Sequence, residues 1–532
     1  MSGGIDPFTV EVIRNSLTAI AEEMSLVVMR SARSPLLREA GDLSSALTDA
    51  KGELVAQGRD IPVHVGVMCA TVREFLKRVP QERLAPGDVW FLNLPEVGGN
   101  HLPDVKAIRP VFSGGSLEAF AVSLAHWADI GGARPGSYVP DATDAWQEGV
   151  RISPVRLFTA EGPDREKLDF LLANLRGPEE REGDILAQMA ATRAADERLG
   201  ALFARYGAKT LRATIAALHD ASEAQMRAAL AELPRGTYEG EDWLDDDGVV
   251  DQPVAVRVKI DLAGDSATFD FSASDDAVQG PLNTTPFATA ASVFYAVKAI
   301  AGPDIQPNGG CYRPLTIKTR PGSLLEPPHD RPVVGGNHET TQRVVDAIFR
   351  ALAPIVPERL SAGGPTTSGL LLFSGRDPRT DRWTTLYEVH GGGEGARCDR
   401  DGASVVRVHM SNVMNTPAEV IEAEYPIRIE RQTLRRNSGG AGRHRGGDGQ
   451  VREYRILAPE MRLTTMFERR VVPPYGLCGG ASGAPFRATL IRPSGEEIVL
   501  PGKTHVVLHE GDRVVLESCG GGGYGPPPAR AI

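Results

Sequence analysis

The chain has 532 residues, 41% hydrophobic and 24% charged, the composition of a folded globular protein and a length beyond one compact core. Its net charge of -11 repels phosphate backbones and anionic membrane surfaces, which excludes nucleic acid and membrane as partners. The 58 glycines and 39 prolines exceed the roughly 12% of average usage, so many tight turns or close backbone approaches are required.

Met1 to Asp6 carries neither a basic region nor an apolar run, and no uninterrupted apolar stretch of about 18 residues follows. Cys69, Cys311, Cys398, Cys478 and Cys519 form no CxxC pair, so the expected setting is a reducing cytoplasm. Asp6-Pro7 followed by Val10, Ile13, Leu17, Ile20, Met24 and Val28 predicts one long amphipathic helix with an Asp cap. Asp42 to Asp49, a turn at Gly52 and Leu54 to Ala56 predict a strand and its return. Val89 to Leu92 and Ala119 to Leu124 predict two buried strands, each running into a loop that holds a histidine.

From about Arg165 to Leu233, alanine, leucine and charged residues at helical spacing predict two or three helices. Alternating Val254, Val256, Val258 and Ile260, then Thr268 to Phe271, predict a β-hairpin, and Thr284 to Ile300 a helix closed by Gly302. Beyond Gly335, glycine clusters alternate with short strands, which predicts a β-rich part with functional or interlocking loops. The expected fold class is mixed α/β (α+β) in several layers. Its expected regions are 1–160 with a metal site, 161–235 helical, 236–390 mixed, and 391–532 glycine-rich β.

Two His-x-x-Asp segments stand just past predicted strands: His101 to Asp104 after Gly98-Gly99, and His126 to Asp129 before Gly131-Gly132. Imidazole and carboxylate from neighbouring strand ends can converge on one cation, with Asp42 as a further oxygen ligand and glycines letting the backbone pass close by. Such a set suits a hydrolytic Zn, Fe or Mn centre, although His-x-x-Asp also serves simply to orient a loop. Gly502-Lys503-Thr504 lacks the upstream glycine of a phosphate loop, and Gly520-x-Gly522-x-x-Gly525 is followed by prolines, so neither binds a nucleotide. His338 and Glu339 could act as acid and base, but a capped helix start is the favoured reading. Arg443-His444-Arg445 reads as a solvated loop.

Several of these segments together resemble the hydantoinase B/oxoprolinase family. They include Asp6 to Ile13, Asp42-Leu43-Ser44, Ile61 to Gly66, Gly98 to Asp104 and His126 to Gly132, then Asn283-Thr284-Thr285, Pro307-Asn308-Gly309, Asn415 to Glu419, Ser438 to Arg443 and Gly520 to Gly525. The chain departs from the family pattern at Asn93-Leu94-Pro95-Glu96 and at Trp127, where a second histidine is common. The resemblance implies a B-type subunit of a hetero-oligomer, whose larger A-type partner binds ATP and phosphorylates the substrate. It also implies a divalent metal on Asp42, His101, Asp104 and His126, with Asp129 as an outer or alternate ligand. For water attacking at that metal, Asp129 or Glu39 is the candidate base.

The expected reaction is ATP-dependent opening of a cyclic amide, a hydantoin or lactam, of the N-methylhydantoinase kind. Alternatives are a subunit of a ketone carboxylase of the acetone or acetophenone type, or a non-catalytic scaffold of the complex.

Overall fold

The computed structural model describes residues 6–64 and 66–528. Met1 to Ile5, read above for a leader, and Val65 lie outside the described residues. The fold is mixed α+β, as expected. Helix α1 (Pro7–Ser31) opens where the Asp6 carboxylate accepts the Thr9 amide. It buries Ile13, Leu17, Ile20, Met24 and Val28, each contributing roughly 2 kcal/mol of hydrophobic stabilisation.

That stripe lies against a seven-stranded antiparallel sheet. Its strands are β1 (Leu43–Asp49), β2 (Leu54–Gln57), β3 (Val89–Leu92), β4 (Asp104–Ser113), β5 (Ser116–His126), β6 (Val155–Thr159) and β7 (Gly162–Pro163), in the order β2-β1-β5-β4-β3-β6-β7. The sheet is covered on both sides. Helix α2 (Val67–Arg78) packs Val72 and Phe75 against Ala46, Ile108 and Phe120. On the other face α1 and a long helix over Pro178–Tyr206 meet Leu47, Val105, Ala107 and Ala121.

The predicted helical stretch resolves into three helices, α3 (Arg165–Leu172), α4 (Pro178–Tyr206) and α5 (Ala208–Ala231). The predicted hairpin is present as β9 (Val254–Leu262) and β10 (Ala267–Asp270), but it gains outer strands β8 (Gly236–Leu244) and β11 (Leu315–Lys318), in the order β11-β10-β9-β8. Helix α6 (Pro286–Ala301) follows, capped by Thr285, then the short α7 (Gly309–Tyr312) and α8 (Thr340–Leu352). Helix α8 runs so close over β8 that a Cβ on Gly240 would sit 2.3 Å from the Ala347 carbonyl oxygen.

The β-rich remainder holds strands β12 (Leu370–Arg376), β13 (Trp383–Glu388), β14 (Ile427–Arg435), β15 (Gly449–Ile456), β16 (Glu460–Met466), β17 (Arg487–Ile491), β18 (Glu497–Val499), β19 (Lys503–His509) and β20 (Arg513–Glu517). They form two sheets, β13-β12-β16-β19 and β14-β15-β20-β17-β18. Leu371, Phe373 and Leu463 of the first share a core with Tyr454, Leu490 and Leu516 of the second.

The glycine clusters between these strands interlock. A Cβ on Gly393 would lie 1.8 Å from the Gly447 oxygen, and one on Gly521 would lie 1.9 Å from the Glu394 oxygen. Sideways amide bonds such as Gly440 to Gly521 and Gly522 to Gly363 tie them together. Among the described residues, no helix is long and apolar enough to cross a membrane.

Candidate metal centre

Topology brings the ligand candidates to one end of the first sheet. Because β1, β5 and β4 are consecutive and antiparallel, the start of β1, the end of β5 and the start of β4 lie side by side. Asp42 therefore precedes β1 beside His126, whose amide donates to the Asp42 carbonyl at 3.1 Å, and Asp104 is the register partner of His126. A tight turn carries His101 back over Asp104, with the Asp104 amide donating to the His101 carbonyl at 3.3 Å.

His101, Asp104 and His126 are all buried, and each offers a ligand atom within 4.8 Å of the others. Asp104 Oδ1 lies 3.1 Å from His126 Nδ1 and 3.1 Å from His101 Nε2. The His101 contact has the form of two acceptors facing one another. Its Nδ1 donates to the Val334 carbonyl at 3.0 Å, so Nε2 is the acceptor nitrogen; it faces the carboxylate oxygen and also takes the Asn337 side-chain amide at 3.1 Å. Burial pushes the His101 pKa down, so protonation does not relieve the contact. Burial alone would raise the Asp104 carboxyl, but the surrounding imidazoles, His101 first, outweigh it and hold the group well below the usual range.

His126 Nε2 is buried without a hydrogen-bond partner. An ionised carboxylate, the acceptor nitrogen of His101 beside it and the orphaned His126 nitrogen fit a divalent cation. Asp42 lines the same cavity but falls outside the group of three.

The two expected bases lie elsewhere. Asp129 accepts the Gly131 and Gly136 amides at 2.8 and 2.7 Å and pairs with Arg176 at 3.3 Å, so its carboxylate braces the following loop. Glu39 sits on a short π-helical turn, Leu36–Ala40, with Arg38 at 3.9 Å. Neither lines the cavity. The flanking glycines serve packing rather than an approach to an ion. Gly98, at φ +68°, would drive a Cβ to within 2.3 Å of the Thr71 amide of α2, and Gly132 rests against residues 147–149.

Sequence reasoning passed over several lining residues. His64 stands in the Ile61 to Gly66 segment quoted for the resemblance, yet it had no role assigned. It contacts Ser44 Oγ at 2.8 Å through Nδ1 and Asp104 Oδ2 at 3.3 Å through Nε2. The expected cap at the start of α8 is absent, since Glu339 makes no side-chain capping bond. Its Oε1 instead lies 3.0 Å from His338 Nδ1 and accepts from Ser368 Oγ at 2.8 Å, while His338 Nε2 is buried without a partner. Burial raises the Glu339 pKa, but His338 and the hydroxyls outweigh it and hold the group low.

Tyr387 also lines the cavity, its hydroxyl 3.2 Å from that of Tyr138. Among the described residues, Arg407 is the one permanently cationic side chain that lines the cavity. The free volume is about 30 Å³, room for roughly two water-sized groups.

A family model described as hydantoinase B/oxoprolinase matches residues 6–527. The chain is 32% identical to caprolactamase subunit beta of Pseudomonas jessenii over 99% of its own length and 92% of that subunit. The crystal structure of ATP-dependent caprolactamase from the same organism superposes with a TM-score of 0.92 at 30% identity, covering 99% and 92% of the two chains. 5-Oxoprolinase 1 of Arabidopsis thaliana is 33% identical over 98% of this chain, which spans only 42% of that protein. An acetone carboxylase structure shares the fold, with a TM-score of 0.91 at 19% identity, covering 98% of this chain and 76% of the other.

Proposed function

Because the chain belongs to the hydantoinase B/oxoprolinase family, we propose that it is the B-type subunit of an ATP-dependent enzyme that opens a cyclic amide. Its partner is an A-type subunit that binds ATP and phosphorylates the amide oxygen. The observation that carries this reading is the buried group His101, Asp104 and His126, with its unsatisfied nitrogen, in a chain matching a caprolactamase subunit nearly end to end. These three residues, with Asp42, would hold the divalent ion, Zn, Fe or Mn. Such an ion supplies Lewis-acid polarisation of a substrate oxygen and lowers the pKa of water.

The surrounding side chains divide the remaining work. His64, fixed by Ser44, holds the second oxygen of Asp104. Ring opening needs a group that takes a proton from water attacking the amide carbon and one that returns a proton to the departing nitrogen; the acyl phosphate so formed then loses phosphate to a second water, giving the acid. His338 fits both steps, since Glu339 and Ser368 fix its Nδ1 side and leave Nε2 unengaged at the cavity. The Tyr387 hydroxyl, backed by Tyr138, is a donor for the oxygen that bridges the amide carbon and the phosphoryl group. The cavity as it stands has room for about two water-sized groups, so a ring enters only after its lining opens. Five unpaired cysteines suit a cytoplasmic setting.

The test is co-expression with a candidate A-type partner, followed by assay of caprolactam, 5-oxoproline and hydantoin in bicarbonate-free buffer. ATP-dependent release of a ring-opened acid, together with a bound metal, is the expected result. Turnover of a ketone only when bicarbonate is present would place the chain in a carboxylase. A complex active without this subunit would make the chain a scaffold.

A further inference from the structure

The large fully buried arginines of this chain have carboxylate partners: Arg181 meets Asp184, Arg343 and Arg469 meet Asp242 and Asp346, and Arg452 meets Glu388. Arg407, which is partly buried, does not. Among the described residues, no carboxylate lies within ion-pair distance of its guanidinium. Its Nη1 donates to the Ser368 and His390 carbonyls, at 2.5 and 3.2 Å, and its Nη2 to Ser411 Oγ at 2.9 Å. Nε and the second hydrogen of Nη2 remain, and these two form the fork that arginine offers to an oxyanion. Burial pushes the pKa of Arg407 down, while Tyr387, Glu339 and Asp42 pull the other way.

The backbone that aims this side chain is unusual on both sides. Val405 and His409 adopt φ of +55° and +53°, a region that a β-branched residue occupies only when its surroundings enforce it. The enforcement is visible. Val406 exchanges two backbone hydrogen bonds with Gly392, the Val405 amide donates to the Asp448 carbonyl, and the Met410 carbonyl accepts from Val63. The loop thus presents an unpaired cation to the cavity that holds His101, Asp104 and His126.

We propose that Arg407 is the phosphoryl-recognition residue of this site, gripping the phosphoryl oxygens of the activated amide beside the metal centre. The proposal rests on the reading above, in which a neutral ring reaches this chain already phosphorylated. It explains how such a subunit would distinguish the activated ring from the bare one: only the former carries a dianion for the fork.

Inorganic phosphate is the probe, titrated against the full chain after its metal has been removed by chelation, with acetate as a parallel arm. Phosphate should bind, Arg407→Ala should weaken it at least tenfold, and acetate should bind at least tenfold more weakly than phosphate. Arg407→Lys keeps the charge and loses the fork, so it should weaken phosphate several-fold; this variant serves if Arg407→Ala is insoluble. Equal phosphate affinity in the wild type and either variant, or no phosphate binding at all, overturns the proposal. Acetate binding as tight as phosphate also overturns it, in favour of a substrate carboxylate. A complex that opens no ring while its phosphate binding still depends on Arg407 overturns the hydrolase reading and leaves the phosphoryl subsite standing.

Discussion

Asp104 and His126 are register partners, the first residue of one strand and the last of its neighbour, with Oδ1 3.1 Å from Nδ1. The heart of the site is therefore a cross-strand pair, and its geometry is set by the β4–β5 ladder rather than by a loop. A slip of one residue in that ladder would turn one of the two to the opposite face of the sheet.

Metal content separates the ligands from the braces. His101→Ala and His126→Ala should each lose the bound ion, read by elemental analysis of purified protein, while unfolding midpoints stay close to wild type. Asp129→Ala should behave the other way, keeping the ion but losing about 2 kcal/mol or more of stability, because two buried amides and Arg176 lose their acceptor. An Asp129→Ala protein that is stable and metal-free would restore Asp129 to the ligand set.

Glu148 acts on the site at one remove. Its carboxylate oxygens accept the Val333 and Val334 amides at 3.0 and 2.8 Å, and the Val334 carbonyl in turn fixes His101 Nδ1. Glu148→Ala should weaken metal affinity about 10- to 100-fold, measured by competition with a chelator of known affinity. Unchanged affinity would show that Val334 is held without it.

Asp60 predicts a pH dependence of stability. Burial raises its pKa to about 6, against hydrogen bonds from the Ser45 amide and Ser25. The folded chain then holds this proton more tightly than the unfolded one, so the stabilising contribution is full below about pH 4 and is lost as pH rises through 6. Asp60→Asn, neutral throughout, should remove on the order of 2 kcal/mol of that decline. Urea midpoints at pH 4, 5, 6 and 7 would reveal it, and parallel curves for the two proteins would contradict it.

Two glycines should differ sharply on replacement by alanine. Gly114 has φ +57° with open space around its Cβ direction, so Gly114→Ala should cost about 1 kcal/mol. Gly521→Ala puts a methyl group 1.9 Å from the Glu394 carbonyl oxygen and should cost more than about 4 kcal/mol, seen as loss of soluble protein. Similar yields of the two variants would mean that the glycine-rich loops can spread.

Much of this architecture is legible in the sequence where period and capping agree, as in α1, β1, β3, the three helices of 165–231 and the β9–β10 hairpin. Strand β4 escaped because Lys106, Arg109 and Pro110 interrupt its apolar pattern. The structure accommodates all three: Lys106 donates to Asn100, Arg109 reaches Thr192 of α4, and Pro110 lies beyond the stretch 106–108 that pairs with β3. Strand β8 was obscured by Gly240, whose missing side chain makes way for α8.

At the site, His101, Asp104, His126 and Asp42 were readable because strand ends and a repeated His-x-x-Asp pattern point to them. His64, Tyr387 and Arg407 come from segments far apart in the chain, and no local spacing marks side chains that only tertiary packing brings together; His338 was marked beside Glu339 but read as part of a helix cap. Asp129 misled because it occupies the same place in its pattern as Asp104, yet its position lies past the end of β5, where the chain turns away from the cavity.

The interlocked glycine segments also impose an order on biosynthesis. Gly363, Gly393, Gly440, Gly447 and Gly480 each lean on residues 519–525, which leave the ribosome long after they do. Until those residues emerge, the strands around them have no closing partner, and the nascent chain must carry an open β-rich flank through roughly the last third of its translation. Ribosome stalling near codon 500 would thus leave a growing chain dependent on chaperones.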